Sequence, residues 1–226
     1  MTQMTYQESF ITFLVQCNAL TFGEFQLKSG RIAPYFINTG MFDTGAKIKQ
    51  LGTYYARAVR EHFSTAFDGI YGPAYKGIPL CVSTAMALSD MEMDKGYVFN
   101  RKEAKTYADK SSTVGMALDG NTRLILVDDV ITSGKAIRES LEILKTSGNP
   151  QVKGIVISVD RQEKGTTDQN ALAEVAQTLG IPIYAIVTLS DITTFLHNKE
   201  INGRVILDDA MMKKIVTYLA QYGTAC

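Results

Sequence analysis

The sequence predicts an α/β fold with an open, mostly parallel sheet that is flanked by helices. Short apolar segments rich in β-branched residues alternate with longer segments of helical periodicity. The apolar segment 124–127 is followed at once by two acids, which is typical of a buried parallel strand that ends at a polar edge. No internal repeat or low-complexity linker divides the 226 residues, so a single domain, 1–226, is expected.

Residues 1–43 are expected to form a small N-terminal hood on this domain. The segment 6–20 carries Phe10 and Leu14 at helical spacing, which predicts an amphipathic helix. The segment 22–40 contains two short strand-like pieces among aromatic, glycine and proline residues.

The rest of the chain alternates between helices and strands. A helix is predicted at about 44–63, where Tyr54 and Tyr55 fall on an apolar stripe and are interpreted as core residues. Strands are predicted at 67–72, 96–100, 122–130, 151–160 and 181–187. Helices are predicted at 78–88, at about 135–147, around 168–179, and near 191–198 and 207–222. Because parallel sheets bind ligands at the carboxyl ends of their strands, functional residues are expected in the loops that follow these strands. No chemistry is predicted for the tail at 200–226.

Composition argues against several classes of function. Lys+Arg and Asp+Glu both number 23, so no long-range attraction to nucleic acid or acidic membrane is expected. The start lacks the pattern of a signal peptide, and no segment approaches the roughly eighteen apolar residues of a membrane span. The three cysteines show no disulfide framework, and the two histidines argue against a multi-histidine metal site. A cytoplasmic protein is expected.

The segment 124–136, LILVDDVITSGKA, is the most informative part of the sequence. An apolar strand leads to Asp128 and Asp129, and a Thr-Ser-Gly turn then opens into a helix. The carboxylates can accept hydrogen bonds from ribose hydroxyls, while backbone N–H groups of the turn and the helix start can hold a phosphate. The same acids could instead form a solvated strand end or a magnesium site.

Cationic residues follow three other predicted strands. Lys76 lies in the turn Pro-Ala-Tyr-Lys-Gly, where it could contact an anion. Arg101, Lys102 and Lys105 lie in a polar stretch that could close over a phosphate and stabilise a departing pyrophosphate. Arg161 suits a planar carboxylate, because its guanidinium can form paired hydrogen bonds. The alternatives are a solvated charge run for the lysine-rich stretch and a surface ion pair for Arg161.

These segments together resemble the orotate phosphoribosyltransferases, a branch of the type I phosphoribosyltransferase family. LILVDDVITSGKA resembles the phosphoribosyl-pyrophosphate signature of the whole family. FGEFQLKSGRIAPYFIN, GPAYKGIPL, FNRKEAK and DRQEKG resemble segments of the orotate branch, in its order, over about 22–165. The resemblance implies a Mg²⁺-dependent enzyme that forms orotidine 5′-monophosphate and pyrophosphate from orotate and phosphoribosyl pyrophosphate, in pyrimidine nucleotide biosynthesis. It also implies a homodimer in which a mobile catalytic lid, 101–113, reaches into the neighbouring subunit's site.

The resemblance further implies a role for each matched residue. The residues expected to bind phosphoribosyl pyrophosphate are Lys28, Tyr75, Lys76, Arg101, Lys102, Lys105, Tyr107, Asp128, Asp129, Val130, Ile131, Thr132, Ser133, Gly134, Lys135 and Ala136. The residues expected to bind orotate are Phe36, Ile37, Thr132 and Arg161. Arg101, Lys102 and Lys105 are also expected to act in catalysis. Mg²⁺ is expected to be held mainly by substrate oxygens and water, so no protein ligand is assigned to it.

Three features depart from the family pattern. Tyr107 stands where the family commonly has a histidine, so it can hydrogen-bond but is not cationic near neutral pH. The lid tip reads ADKSST without the usual glycines, and Lys135 stands where the family often has threonine.

The nearest alternative is a phosphoribosyltransferase for another base. Arg161 and FNRKEAK argue against it, because a neutral base has no carboxylate to pair. A non-catalytic regulator that senses phosphoribosyl pyrophosphate should carry a basic surface or an added DNA-binding module, which zero net charge disfavours. A paralogue with an inactive site is disfavoured because every charged position of the motifs is filled.

Overall fold

Helices and strands alternate along the chain as the sequence predicts. The computed structural model describes residues 4–27, 30–101, 112–131 and 134–224. The helices are α1 (Tyr6–Gln16), α2 (Gly45–Phe63), α3 (Gly77–Ser89), α4 (Lys135–Thr146), α5 (Ala171–Leu179), α6 (Leu189–Leu196) and α7 (Asp209–Tyr222). The strands are β1 (Leu20–Gln26), β2 (Ile32–Ile37), β3 (Gly69–Gly72), β4 (Gly96–Asn100), β5 (Thr113–Gly115), β6 (Arg123–Asp128), β7 (Gln151–Asp160), β8 (Ile183–Thr188), β9 (Glu200–Ile201) and β10 (Arg204–Val205). Every predicted element is present, with bounds that differ by a few residues.

The central sheet has the strand order β5-β4-β3-β6-β7-β8. Its strands pair in parallel, except that β5 at the edge runs antiparallel to β4. The chain adds β4 on one side of β3 and then β6 on the other, so the strand order reverses at β3. Open α/β sheets bind their ligands in the crevice at such a reversal, beyond the carboxyl ends of the strands. The topology therefore points to the ends of β3 and β6.

Strand β6 is buried on both faces and contributes to two apolar layers. Ile125 and Val127 face the layer that includes α1, α2 and α6, whereas Leu124 and Leu126 face the layer that includes α4. All four side chains are fully buried. A strand covered by helices on both faces needs apolar residues at successive positions, which explains the uninterrupted apolar run in the sequence.

The N-terminal residues form α1 and an antiparallel hairpin of β1 and β2. Thr5 begins α1 with a capping box that it shares with Glu8. The ring of Phe10 packs on Tyr54 of α2 with centroids 5.0 Å apart, and Tyr54 and Tyr55 are buried, so their interpretation as core residues is confirmed. The division into a hood at 1–43 and a lid at 101–113 stays a prediction. Within the described ranges, no helix combines the length and apolar character needed to span a bilayer.

Gly52 of α2 packs against the backbone of α3 more closely than a side chain allows. A Cβ at this position would lie 2.4 Å from the carbonyl oxygen of Ser83. We expect Gly52→Ala to lower the free energy of unfolding by about 1–3 kcal/mol, because overpacking forces the two helices apart. Urea denaturation measures this change. Gly45→Ala is the matched control, because a Cβ at Gly45 in the same helix meets open space; equal losses at both positions would contradict the packing argument.

Candidate active site

Two loops meet at the crevice between β3 and β6. One follows β3 and carries Lys76, and the other follows β6 and begins at Asp129. Nζ of Lys76 donates a hydrogen bond to Oδ2 of Asp129 over 2.8 Å. The lysine side chain is exposed whereas the carboxylate is largely buried. The cation and the acid predicted from separate motifs are thus in direct contact at the mouth of the crevice.

The paired acids at the end of β6 are buried, with Asp128 only 9% and Asp129 only 8% exposed. Oδ1 of Asp128 accepts from the backbone N–H of Asp129 over 2.9 Å, and Oδ1 of Asp129 accepts from that of Val130 over 2.8 Å. The hydroxyl of Tyr55 donates to the carbonyl oxygen of Asp128, and that of Ser158 donates to the carbonyl oxygen of Asp129. A solvated strand end, one alternative considered from the sequence, does not fit this burial.

The two acids differ in their electrostatic surroundings. Burial, together with the neighbouring charge of Asp129, raises the pKa of Asp128 well above its ordinary value. Burial acts in the same direction on Asp129, but hydrogen bonds from Lys76, from the hydroxyl of Thr39 and from the N–H of Val130 lower the pKa of Asp129 below its ordinary value. Asp129 is therefore charged at neutral pH, whereas Asp128 takes up a proton more readily. Among the described residues, no group of three or more His, Cys, Asp or Glu side chains could hold a metal ion.

Close backbone packing shapes the turn after β3. A Cβ on Gly72 would lie 1.9 Å from the carbonyl oxygen of Gly77, so only glycine lets α3 begin directly against the strand. The backbone N–H of Ala74 donates to Oδ1 of Asn100 at the end of β4 over 2.8 Å, and the peptide bond from Ala74 to Tyr75 is cis. Tyr75 itself is 68% exposed. The turn is thus held through its backbone, while the predicted ligand-binding side chain lies at the surface.

The start of α4 presents backbone donors to a cavity. Gly134 adopts a left-handed conformation with φ 68°, and no side chain of the described residues caps the helix. The first backbone N–H groups of a helix have no partner within it, so they are available to an anion. The cavity has a volume of about 290 Å³. Its lining residues are Asp128, Val130, Ile131, Gly134, Lys135, Ala136, Ile137 and Glu139. Asp128 of the acid pair and the helix start, predicted as parts of one sugar-phosphate cradle, therefore line a common cavity.

The N-terminal hairpin reaches the same crevice. Thr39 lies in a 3-10 turn (Thr39–Met41) after β2, and its hydroxyl donates to Oδ2 of Asp129 over 2.8 Å. The ring of Phe36 stacks on that of Phe25 with centroids 5.5 Å apart and is 41% exposed. Ile37 is partly buried. The turn after the hairpin thus contributes a hydrogen bond to the acid pair, and the hairpin contributes a partly exposed aromatic ring.

Arg161 lies in a largely buried cluster after β7. Its Nη2 donates to Oε1 of Glu163 over 2.6 Å, and its Nε donates to the hydroxyl of Tyr35 over 3.4 Å. The hydroxyls of Tyr35 and Tyr218 donate to the same Glu163 oxygen over 2.7 and 3.0 Å. The side chains of Arg161 and Glu163 are 19% and 14% exposed. The ion pair considered from the sequence does exist, but it is not a solvated surface pair.

Several predicted residues lie outside the described part of the chain. These are Lys28, Lys102, Lys105, Tyr107, Thr132 and Ser133. Their roles stay predictions. Arg101 is described, and its Nε is buried without a hydrogen-bond partner among the described residues. Lys135 is exposed and pairs with Glu139 at 3.8 Å on the surface of α4.

Reasoning from the sequence missed the residues that hold the predicted ones in place. Thr39, Asn100, Glu163 and Tyr218 each hydrogen-bond to a predicted residue or to its immediate surroundings. Thr39 is 90 positions from its partner Asp129. No local spacing could reveal a contact of this kind, because the fold alone brings such residues together.

Known proteins resemble this chain over nearly its whole length. The phosphoribosyl transferase domain family matches residues 38–183. An orotate phosphoribosyltransferase of Clostridium beijerinckii is 43% identical over 219 residues, which cover 96% of this chain and 98% of the relative. One of Vibrio atlanticus is 46% identical with the same coverage. The crystal structure of orotate phosphoribosyltransferase from Francisella tularensis matches with a TM-score of 0.81 and 37% identity, over 96% of this chain and 100% of that one.

The raised pKa of Asp128 predicts that this acid destabilises the folded chain near neutral pH. A carboxyl group with a higher pKa in the folded state contributes stability at low pH, and this contribution is lost as the pH rises from about the unfolded value of 3.8 through the folded value. We expect Asp128→Asn to raise the free energy of unfolding by about 1–3 kcal/mol at pH 8 and by less at pH 5. Urea denaturation at the two pH values measures this difference.

Asp68→Asn is the control for this prediction, because it should change the free energy of unfolding in the opposite direction. Hydrogen bonds from the side chain and backbone N–H of Arg123 lower the pKa of Asp68 to about 2. Stability from this carboxylate is present above the unfolded pKa and is lost as the pH falls, so Asp68→Asn should be destabilised at pH 8. If both substitutions changed the free energy of unfolding at pH 8 in the same direction and by the same amount, burial of the Asp128 carboxylate would carry no cost.

Proposed function

This chain belongs to the orotate phosphoribosyltransferases of the phosphoribosyl transferase family, and we propose that it transfers the 5-phosphoribosyl group from phosphoribosyl pyrophosphate to orotate. The products are orotidine 5′-monophosphate and pyrophosphate, in pyrimidine nucleotide biosynthesis. One observation carries the proposal: a largely buried arginine, Arg161, follows β7, the strand next to β6 with its buried acid pair. The pair suits a ribose and the arginine suits an anionic base, so the two substrates have adjacent places.

The end of β6 and the start of α4 bind the ribose-5-phosphate half of the donor. Asp128 and Asp129 hold the ribose hydroxyls, and the first N–H groups of α4 bind the 5′-phosphate. Oδ2 of Asp129 accepts from Lys76 and from Thr39 within the chain. Ribose binding therefore replaces internal donors of Asp129, and the ammonium group of Lys76 becomes available to the pyrophosphate. Lys28 and Tyr75 complete the donor contacts in this proposal.

Arg161 binds the carboxylate of orotate. Its guanidinium carries five N–H donors, and the described contacts use those on Nε and one on Nη2. The Nη1–Nη2 edge can therefore form paired hydrogen bonds with a second carboxylate. Phe36 and Ile37 cover the ring of orotate, and Thr132 completes the pocket.

Charge stabilisation, without acid–base catalysis by a histidine, drives the proposed transfer. Breaking the bond between ribose and pyrophosphate leaves an oxocarbenium-like ribose and a highly charged leaving group. Arg101, Lys102 and Lys105 neutralise that leaving group, and the anionic orotate supplies the nucleophilic ring nitrogen. Tyr107 can hydrogen-bond to the same phosphates. These residues belong to the proposed lid, 101–113, which acts in the neighbouring subunit's site of a homodimer.

Magnesium is part of the proposal. Mg²⁺ prefers oxygen ligands and keeps several waters, and the buried like-charged carboxylates of Asp128 and Asp129 suit a nearby divalent cation. When bound to phosphoribosyl pyrophosphate, Mg²⁺ supplies positive charge opposite the leaving group. Substrate oxygens and water hold it, and the two acids orient the hydroxyls that complete its surroundings.

A cytoplasmic location is also part of the proposal. Cys17 and Cys81 are buried free thiols. Free thiols suit a reducing compartment, which supports this location.

The reaction itself tests the proposed function. We expect the purified protein to release pyrophosphate from phosphoribosyl pyrophosphate when orotate and Mg²⁺ are present, and to stop when EDTA removes the metal. A panel with uracil, adenine and hypoxanthine measures specificity, since these bases lack the carboxylate. Activity with one of them and none with orotate would overturn the substrate assignment. Binding of phosphoribosyl pyrophosphate without turnover of any base would favour a regulator.

Arg161→Ala should chiefly affect orotate. Loss of paired, charge-assisted hydrogen bonds predicts a rise of about 10- to 100-fold in the KM for orotate, without a comparable change for phosphoribosyl pyrophosphate. Steady-state kinetics with each substrate varied in turn measure both values. Arg123→Ala is the control, because Arg123 pairs with Asp68 at the start of β6, away from the crevice. Equal rises for both substrates in Arg161→Ala would contradict its placement at orotate.

A further inference from the structure

We propose that Glu163 and Tyr218 are positioning residues for Arg161, so that the C-terminal helix α7 controls how well orotate binds. This inference rests on the proposed function. It assigns a role to the tail of the chain, for which the sequence predicts no chemistry.

A single oxygen of Glu163 joins three parts of the chain. Oε1 accepts from Nη2 of Arg161 after β7, from the hydroxyl of Tyr35 in β2 and from the hydroxyl of Tyr218 in α7. The rings of Tyr35 and Tyr218 also meet edge to face, with centroids 6.1 Å apart. Three donors from three parts of the chain fix the position of this oxygen, and it in turn fixes the guanidinium.

Within the described residues, the contacts with Tyr35 and Glu163 hold one edge of the Arg161 guanidinium and do not use its Nη1–Nη2 edge. Nε and Nη2 form one edge of the planar group, and this edge contacts Tyr35 and Glu163. The guanidinium carbon also lies 5.4 Å from the centroid of the Tyr35 ring. The plane of Arg161 is therefore set by residues of the chain itself, and its Nη1–Nη2 edge can meet a second carboxylate.

Tyr35 and Tyr218 also share the carboxylate of Glu163 with Arg161 as a hydrogen-bond acceptor. A carboxylate that paired with Arg161 alone would compete with a substrate carboxylate for the same guanidinium. The hydroxyls of Tyr35 and Tyr218 remain donors at neutral pH, because burial and the charge of Glu163 raise the pKa of both, that of Tyr218 to about 12. Sharing the acceptor among three donors keeps Arg161 attractive to an anion.

The end of α7 also forms backbone hydrogen bonds with the loop that carries Arg161. The backbone N–H of Lys164 donates to the carbonyl oxygen of Tyr222 over 2.8 Å, and that of Thr224 donates to the carbonyl oxygen of Gln162 over 3.0 Å. These bonds hold the loop on both sides of Glu163. The position of the guanidinium therefore depends on the position of α7, through these backbone hydrogen bonds and through the hydroxyl of Tyr218.

Tyr218→Phe tests this role, because it removes the hydroxyl and keeps the buried ring. We expect the KM for orotate to rise about 3- to 10-fold, the effect of one lost hydrogen bond, while kcat and the KM for phosphoribosyl pyrophosphate stay unchanged. Tyr222→Phe is the matched control. Tyr222 lies on the same helix with its ring 5.0 Å from that of Tyr218, and its hydroxyl makes no hydrogen bond within the described residues. It should leave all three constants unchanged, and thermal unfolding checks that both variants fold.

A double-mutant cycle separates positioning from a general structural effect. In an Arg161→Ala background, Tyr218→Phe should cause no further rise in the KM for orotate, because it acts through the missing guanidinium. Glu163→Gln, which keeps the acceptor oxygen, should raise that KM less than Glu163→Ala. Independent effects in the cycle, or equal changes in Tyr222→Phe, overturn the inference. If the unaltered chain uses orotate and Tyr218→Phe has the same KM for orotate, this inference alone fails. If the unaltered chain does not use orotate, the proposed function fails and the inference fails with it.

Discussion

Two carboxylates buried side by side at the end of β6 are the constraint on which the rest of the site depends. Like charges in a poorly solvated environment repel one another, and each loses the hydration that it has in water. Lys76, Thr39 and a backbone N–H compensate Asp129, whereas the carboxylate of Asp128 accepts from the backbone N–H of Asp129 and has the charge of Asp129 beside it. Ligand hydroxyls and cations can relieve this cost, so the same burial that weakens the fold favours binding.

The fold supplies this compensation from elements that are distant in sequence. Lys76 comes from the turn after β3 and Thr39 from the 3-10 turn after β2, and both reach the same oxygen of Asp129. The backbone of the acid pair is fixed separately by the hydroxyls of Tyr55 and Ser158. The contacts that fix the backbone of the acid pair are thus different from those that the Asp129 carboxylate accepts. The side-chain donors of Asp129 can therefore be exchanged without any movement of β6.

The sequence predicted those parts of the fold that carry their own periodic signal. The run Leu124–Val127 is apolar at every position because β6 is covered on both faces, and Lys76 and Asp129 meet because parallel strands end at the same edge. β5 was missed, since three residues are too few for a periodic pattern and pairing with β4 forms it. Glu163 and Tyr218 were missed because each contact joins residues far apart: 128 positions separate Tyr35 from Glu163, and 55 separate Glu163 from Tyr218.

Arg161 shows that a structural and a functional interpretation of one residue need not exclude each other. The sequence left a carboxylate ligand and an ion pair as alternatives, and the structure contains the ion pair. A guanidinium buried without an internal partner would carry the full cost of its lost hydration, so Glu163 is what allows Arg161 to be buried. Because that partner contacts one edge of the guanidinium and is shared with two tyrosine hydroxyls, the internal ion pair is compatible with the anionic ligand that we propose for Arg161.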